Sequence, residues 1–157
     1  MHLAYNIKRV YARFMDDQCI CTTLRQAAAQ ITAHYDAVLA SSGIKVTMFR
    51  LLRRIDAAKC VSITELATIV GLDRSTLGRN LRVLEKQSLI EIGTGEDGRA
   101  RPVSLTQTGH EKLQEALPLW QKAQRELAEI VGADTLAVLG RVIDQNGEEE
   151  QAIGDNA

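Results

Sequence analysis

Two short amphipathic segments, residues 62–70 and 73–86, are separated only by Gly71 and Leu72, and this spacing restricts the fold more than any other feature of the sequence. Apolar residues recur in both segments at the spacing that gives a helix one apolar face. They are Ile63, Leu66, Ala67 and Val70 in the first segment and Leu77, Leu81 and Leu84 in the second. Because glycine readily takes the left-handed conformation in which many helices end, a sharp turn between two helices is predicted.

The residues that begin each segment can complete the hydrogen bonds of a first helical turn. Ser62 and Glu65 have the spacing of a capping box, and Asp73 is a favourable N-cap for the second helix. A helix-turn-helix also needs a small residue where the helices approach, a glycine at the turn and a large apolar residue beneath the second helix. The sequence places these at Ala67, Gly71 and Leu77. The two segments are therefore predicted to form a helix-turn-helix.

The pattern changes from helix to strand after residue 88. Residues 89–92 are short and β-compatible, residues 93–98 form a charged, glycine-rich turn, and residues 101–105 alternate between polar and apolar side chains. Pro102 favours an edge position for the second strand. A two-stranded hairpin with a polar tip is therefore predicted directly after the helix-turn-helix, which is the layout of a winged helix.

Long helices are predicted on both sides of this unit, so that the fold class is mainly α with a small β-hairpin wing. Residues 18–39 contain no Pro or Gly, and apolar spacing over residues 7–14 extends the helical pattern toward the N-terminus. Another helix follows from the apolar stripe of Met48, Leu51, Leu52 and Ile55. Thr106 is the predicted cap of a last helical region, with a kink at Pro118 and a break at Gly132.

The length of 157 residues allows one domain, predicted to span residues 1–147 and to be followed by an acidic, flexible tail at residues 148–157. The net charge of -1 conceals nine basic against four acidic residues in residues 1–60 and four against ten in residues 106–157. It therefore does not argue against nucleic-acid binding.

Three cysteines, no apolar run of about 20 residues and no signal-peptide pattern predict a cytoplasmic protein.

Enzyme motifs are missing from the sequence. It has no glycine-rich phosphate loop, no His-Glu zinc motif and no nucleophile elbow. We therefore predict that the chain is not an enzyme and needs no cofactor.

The outer side of the second short helix carries cations and hydroxyl groups that are candidates for contacts with DNA. They are Arg74, Ser75, Thr76, Arg79 and Arg82. Arginine can bind guanine through two hydrogen bonds or bind a phosphate group. The hydroxyl groups of Ser and Thr can form hydrogen bonds with bases or with phosphate groups. In the wing, Arg99 is a candidate for insertion into the minor groove, and Asp97 could orient its guanidinium. Arg101 supplies a second cation at the tip of the wing. The alternatives are a solvated helix face and an ordinary charged turn.

These features together resemble the MarR family of transcriptional regulators. The matching motifs are Leu66-Ala67, Gly71-Leu72-Asp73-Arg74-Ser75-Thr76-Leu77, Asn80-Leu81, Leu84-Glu85, Leu89-Ile90, Asp97-Gly98-Arg99-Ala100-Arg101 and Val103-Ser104-Leu105-Thr106-Gln107-Thr108-Gly109. The resemblance extends from about residue 17 to residue 143. Its most specific part is the wing with the Leu-Thr-x-x-Gly segment that follows.

The resemblance implies a winged-helix homodimer that binds a pseudo-palindromic operator in double-stranded DNA, most simply as a repressor. Residues 45–105 would bind DNA, and helices within residues 7–40 and 106–147 would interleave as the dimerisation body. Arg74, Ser75, Thr76 and Arg79 would then approach the major groove, and Arg99 with Asp97 the minor groove. A small molecule or an oxidant, acting between the body and the winged helix, would release the operator.

The segment around Cys19 and Cys21 is similar to the first helix of the organic-hydroperoxide-sensing branch of that family. Cys21 falls on the position of the oxidised cysteine, and Tyr35 on that of a tyrosine that holds the thiolate. The sequence departs from the branch where Arg25 replaces a second tyrosine and near Lys45, where a third is expected. An arginine one turn from Cys21 could still stabilise a thiolate.

Three interpretations of the cysteines stay open at the level of sequence. Cys19, Cys21 and Cys60 could be buried packing residues, redox thiols, or soft-metal ligands with His34 nearby. On a regular helix, residues two apart diverge, so Cys19 and Cys21 can converge only if Cys19 precedes the helix. Two alternative functions of the chain stay open as well. One is a regulator that responds to a metal or a phenolic ligand and has purely structural cysteines, and the other is a winged helix that binds only proteins. Trp120 is predicted to lie in the dimer core, and His110 to have no notable partner.

Overall fold

The computed structural model describes the backbone of residues 19–94 and 101–154, and the side chains of these ranges up to residue 143. The helices are α1 (Ile20–Leu39), α2 (Val46–Ala58), α3 (Ile63–Val70), α4 (Arg74–Lys86), α5 (Gln107–Val131) and α6 (Ala133–Gly154). The strands are β1 (Val61–Ser62), β2 (Ile90–Ile92) and β3 (Pro102–Leu105), and a 3₁₀ turn spans Ala40–Ser42. This confirms the predicted mainly helical fold with a small wing. No helix in the described ranges is long and apolar enough to cross a membrane.

The ends of the long helices differ in detail from the prediction. The proposed extension over residues 7–14 lies outside the described residues. Pro118, the predicted position of a kink, lies within α5, and Gly132, at φ 75°, ends α5 as expected. Helix α6 continues to Gly154 and so extends into the region predicted as a flexible tail. Glu, Gln and Ala, which are good helix formers, dominate residues 148–152 and allow this continuation.

The wing belongs to a three-stranded antiparallel sheet rather than to an isolated hairpin. Its strand order is β1-β3-β2, with Val61 opposite Val103 and Ile90 opposite Leu105. The prediction of an edge strand from Pro102 is therefore wrong, because β3 lies in the centre. Pro102 is tolerated there because it is the first residue of the strand, where a missing N–H is least damaging. Its carbonyl still accepts a hydrogen bond from the N–H of Gly93 at 2.8 Å.

Helix α2 lies in the centre of the hydrophobic core. Leu51, Leu52 and Ile55 of the predicted stripe are buried, Met48 is half-buried, and Phe49 is a buried residue that the stripe did not include. The core around them takes side chains from every neighbouring element. They are Leu39 of α1, Leu66 of α3, Leu77 and Leu81 of α4, Val103 of β3, and Leu113 and Ala116 of α5. Helix α2 thereby joins the winged helix to the long helices.

A side chain from α1 completes the start of α2. Lys45 occupies the N-cap position, and its side chain cannot accept a hydrogen bond. The carboxylate of Asp36 takes this role and accepts from the N–H of Val46 at 2.8 Å. The negative charge of Asp36 is favourable at the N-terminus of α2. Since Asp36 lies on α1, the same hydrogen bond also fixes α1 against α2.

The wing is joined to α5 by a close backbone approach at Gly109. The hydroxyl of Thr106 accepts from the N–H of Gly109 at 3.0 Å and donates to the carbonyl of Ser88 at 2.6 Å. A Cβ atom at Gly109 would lie only 1.9 Å from the carbonyl oxygen of Leu89. Only glycine fits between these two segments.

We predict that Gly109→Ala lowers the free energy of unfolding by about 2–3 kcal/mol, because the added methyl group forces two backbone segments apart. The matched control is Gly78→Ala on α4, where a Cβ meets nothing within 4 Å. This variant should be more stable than wild type by about 0.5–1 kcal/mol. Urea unfolding at one fixed protein concentration compares the two. Unfolding of Gly109→Ala at the urea concentration of wild type would contradict the close approach.

Candidate nucleic-acid interface and effector cavity

The turn between α3 and α4 has the geometry that its sequence predicts. Both hydrogen bonds of the capping box form, since the N–H of Glu65 donates to Oγ of Ser62 at 3.2 Å and the N–H of Ser62 to the Glu65 carboxylate at 3.1 Å. Gly71 ends α3 in the left-handed conformation, at φ 65° and ψ 40°. The N–H of Leu72 then bonds to the carbonyl of Ala67 at 3.1 Å, which closes the turn.

The N-terminus of α4 is held by the carboxylate of Asp73. Its Oδ1 accepts from the hydroxyl of Ser75 at 2.6 Å and from the N–H of Thr76 at 2.9 Å. The hydrogen bond from Ser75, followed by those from Thr76, holds the pKa of Asp73 well below its usual range. The cap is therefore ionised at neutral pH, where it complements the positive end of the helix.

The face of α4 opposite the core is basic. Leu77, Leu81 and Leu84 are buried, whereas the predicted DNA-binding residues Arg74, Ser75, Arg79 and Arg82 are exposed and Thr76 is half-buried. The guanidinium of Arg74 donates to the hydroxyl of Thr64 on α3 at 3.0 Å. Sequence reasoning missed Thr64, because the contact joins residues ten apart across the turn. The side chains of α4 thus form an exposed cationic surface on a helix that is fixed from below and at its start.

The wing is described only in part. Arg101 is exposed directly before β3, and Ser104 donates across the strands to Glu91 at 3.1 Å. Asp97 and Arg99, the predicted minor-groove pair, lie outside the described residues.

All three cysteines are free and exposed in the single chain, so none of them packs in its own core. Cys19 is the N-cap of α1 at φ -58° and ψ 120°, which places it before the regular helix that contains Cys21. Hydrogen bonds from the N–H and then the hydroxyl of Thr22, and from the N–H of Cys21, lower the pKa of Cys19. Within the described ranges, no three His, Cys, Asp or Glu side chains are grouped to hold a metal ion.

Tyr35 and His34 on α1 face α5 rather than the cysteines. Tyr35 donates to Gln124, and partial burial raises its pKa. His34 lies 2.9 Å from Glu126. Tyr35 is 14 residues from Cys21, or about 21 Å along the helix, so the two do not meet within one chain. Arg25 is exposed one turn after Cys21.

His110 has a partner that sequence reasoning missed. Its Nδ1 lies 3.4 Å from Oδ1 of Asp56, near the end of α2. The prediction that His110 has no notable partner is therefore wrong. The contact joins residues 54 apart in the sequence, which no local pattern indicates.

A cavity of about 410 Å³ lies between the long helices and the winged helix. It is lined by Tyr35 of α1, by Val46, Phe49, Arg50, Arg53, Arg54 and Ala57 of α2, and by Trp120 of α5. The rings of Phe49 and Trp120 are stacked with centroids 5.5 Å apart, and the guanidinium of Arg53 lies 4.5 Å from the Trp120 ring. Trp120, predicted to be dimer core, is a wall of this cavity. Aromatic and guanidinium groups together favour a flat, negatively charged ligand.

The fold, the capped basic helix and the wing together define a winged helix-turn-helix protein. The sequence model of the MarR family matches residues 42–100. The structure of the Mycobacterium tuberculosis transcriptional regulator MosR in complex with DNA is 35% identical over 87% of this chain and 98% of that chain, with a TM-score of 0.74. A structure of MosR described without DNA gives 34% identity and a TM-score of 0.70, with the same coverage. The chain therefore belongs to the MarR family.

More distant structures agree on the fold. A variant of Escherichia coli MarR in complex with operator DNA is 22% identical over 84% of this chain and 96% of that chain, with a TM-score of 0.72. A comparison with curated proteins finds no significant match. Membership of a family of transcriptional regulators also confirms the prediction that the chain is not an enzyme.

We predict that Cys19, as the remaining thiol in a Cys21→Ser, Cys60→Ser background, is alkylated at neutral pH faster than a thiol of ordinary pKa. The hydrogen bonds from Thr22 stabilise its thiolate, which is the reactive form. Thr22→Ala in the same background removes the hydroxyl donor and should move the midpoint of the pH–rate curve upward. Iodoacetamide labelling followed by mass spectrometry measures both curves. An unchanged curve in Thr22→Ala would contradict the proposed cause.

Proposed function

We infer that this chain is a sequence-specific DNA-binding transcriptional regulator, acting in the cytoplasm as a homodimeric repressor that an effector releases from its operator. The observation that carries the inference is the exposed row of arginines on α4, a helix held by Asp73 and packed through Leu77, Leu81 and Leu84. Such a helix can enter the major groove of DNA without losing its position on the domain. The relative MosR, solved in complex with DNA, supports the same interpretation.

The arginines have different roles in this proposal. Arg79, in the middle of the exposed face of α4, reads base edges, and Arg74, Ser75 and Thr76 approach the groove at the helix start. Arg82 and Arg101 bind phosphate groups, which add affinity without sequence preference. Arg99, oriented by Asp97, enters the minor groove at the wing.

A second copy of the chain is the proposed partner of the terminal helices. Both ends of the long helices expose large apolar side chains. Ile20 is 66% exposed, Ile130 77% and Ile143 71%, and Leu24, Leu136, Val138 and Val142 are exposed to about half. Ile69 and Val83 of the winged helix are also exposed to about half, but seven of the nine exposed large apolar side chains of the described residues lie on α1, α5 and α6. Isolated exposed apolar residues are common, whereas such a concentration on the long helices favours an interface. Two copies would place two α4 helices on two half-sites of a pseudo-palindrome.

The cavity beside Trp120 is the proposed effector site. It is lined from α1 and α5 on one side and α2 on the other, so a ligand there contacts both the dimerisation body and the winged helix. Three arginines in its wall favour an anion, and the stacked Phe49 and Trp120 rings favour an aromatic group. The proposed ligand class is therefore an aromatic carboxylate.

Thiol oxidation is the second candidate signal, favoured by the lowered pKa of Cys19. The Cys19 thiolate would attack a hydroperoxide, giving a sulfenic acid and an alcohol once one proton is taken up. Condensation with the Cys21 thiol would then give a disulfide and water. Because Cys19 lies at the start of α1, this would alter the dimerisation body.

Hydroperoxide should then release the operator from wild type and Cys60→Ser, but not from Cys19→Ser or Cys21→Ser.

We predict that Arg79→Ala reduces discrimination between the operator and a random duplex by roughly 1–3 kcal/mol per half-site, because base-edge contacts are lost. Arg99→Ala should instead weaken binding to both duplexes about equally. Arg125→Ala, an exposed charge change on α5, serves as the control and should leave both affinities unchanged. Competitive binding at one fixed salt concentration measures the ratio. Equal loss on both duplexes for Arg79→Ala would mean that this side chain contacts only phosphate.

We also predict that benzoate quenches the fluorescence of Trp120, the single tryptophan of the chain, and lowers operator affinity over the same concentration range. Benzamide, which has the same ring without the charge, should do neither. Release of the operator without quenching would place the effector elsewhere.

A further inference from the structure

One arginine of the cavity wall also contacts the helix-turn-helix. Arg50 lies on α2, and its Nη2 donates to the carbonyl oxygen of Val70 at 3.0 Å. Val70 is the last residue of α3 and directly precedes Gly71. Arg53 and Arg54 line the same cavity, and the guanidinium of Arg53 lies against Trp120. Among the described residues, Arg50 is the cavity arginine with a hydrogen bond to the helix-turn-helix.

The carbonyl that Arg50 binds is one that the helix cannot satisfy by itself. The last four carbonyls of a helix lack partners within it, and the closing bonds of this turn use the carbonyls of Ala67 and Thr68. The carbonyl of Val70 is left to Arg50. A cation is favourable at this end of a helix because the aligned peptide dipoles make it negative. The contact therefore stabilises the point from which the chain turns toward Asp73 and α4.

We propose that Arg50 is the positioning residue that couples the effector cavity to the DNA-binding helix. With the cavity empty, its guanidinium holds the Val70 carbonyl and so fixes the turn before α4. A carboxylate bound in the cavity competes for the same guanidinium, because a guanidinium binds a carboxylate, which carries the opposite charge and can accept two parallel hydrogen bonds, more strongly than it binds a neutral carbonyl. Release of Val70 loosens the turn and lowers affinity for DNA. This coupling rests on the proposed function, both for DNA binding and for the cavity as an effector site.

The positioning role is testable without any ligand. In Arg50→Met, amide hydrogen exchange in residues 67–77 should be faster than in wild type, and operator affinity should fall at least fivefold, within the usual range of coupling between sites. Arg50→Lys, which keeps a cationic donor, should restore part of the slow exchange in residues 67–77 and part of the operator affinity. Arg125→Met makes the same charge change on α5 and should alter neither.

The salt dependence separates positioning from a direct contact with DNA. If Arg50 only positions the turn, the slope of log affinity against log salt should be the same in Arg50→Met and wild type. Loss of a phosphate contact would lower that slope by about one. A lowered slope, or unchanged exchange in residues 67–77, would overturn the positioning role.

The ligand arm uses benzoate at concentrations that saturate the quenching of Trp120 in each protein. In wild type, benzoate should speed exchange in residues 67–77 and weaken operator binding, whereas in Arg50→Met it should quench Trp120 without either further change. A full benzoate response in Arg50→Met would overturn the coupling. Absence of quenching in wild type would refute the cavity as a site for aromatic carboxylates, and with it the competition, while the ligand-free exchange result still decides the positioning role. A wild-type chain that binds no operator would instead refute the proposed function.

Discussion

The packing of Phe49 against Trp120 is the interaction on which the rest of the structure depends. It joins α2, the central helix of the winged unit, to α5, the longest helix of the described chain. Leu52 and Ile55 extend the same apolar face beneath the sheet and the short helices. One helix thus serves both halves, and the cavity lies where the two halves meet.

The exposed arginines of α4 depend on local hydrogen bonds that keep the helix in place. Asp73 satisfies its first turn, Gly71 and Leu72 close the preceding turn, and the buried leucines hold its inner face. An exposed row of cations adds little to folding by itself. Here it is carried by elements whose stability comes from capping and from apolar burial, so that its charges are available for a partner. The position of Arg50 at the preceding turn adds a contact through which this availability can be regulated.

Local signals in the sequence predicted most of the fold. The capping box at Ser62, the turn at Gly71 and the cap at Asp73 each involve residues within a few positions of one another, and the structure confirms them. Contacts between distant residues could not be predicted in this way. The pairing of β1 with β3, the cap from Asp36, the wall formed by Trp120 and the bond from Arg50 to Val70 depend on how helices pack. Whether Cys19 precedes α1 could not be decided from the sequence either, because no local signal marks where that helix begins.

We propose above all that two copies of this chain read a pseudo-palindromic sequence through α4. Selection of genomic fragments by the purified full-length chain, followed by footprinting of the enriched fragments, tests this claim most directly. We expect a small set of fragments, each protected over two half-sites whose centres are about 10 bp apart, with binding that persists at physiological salt. Protection of a single half-site, or equal binding to all duplexes that disappears as salt is raised, would contradict it.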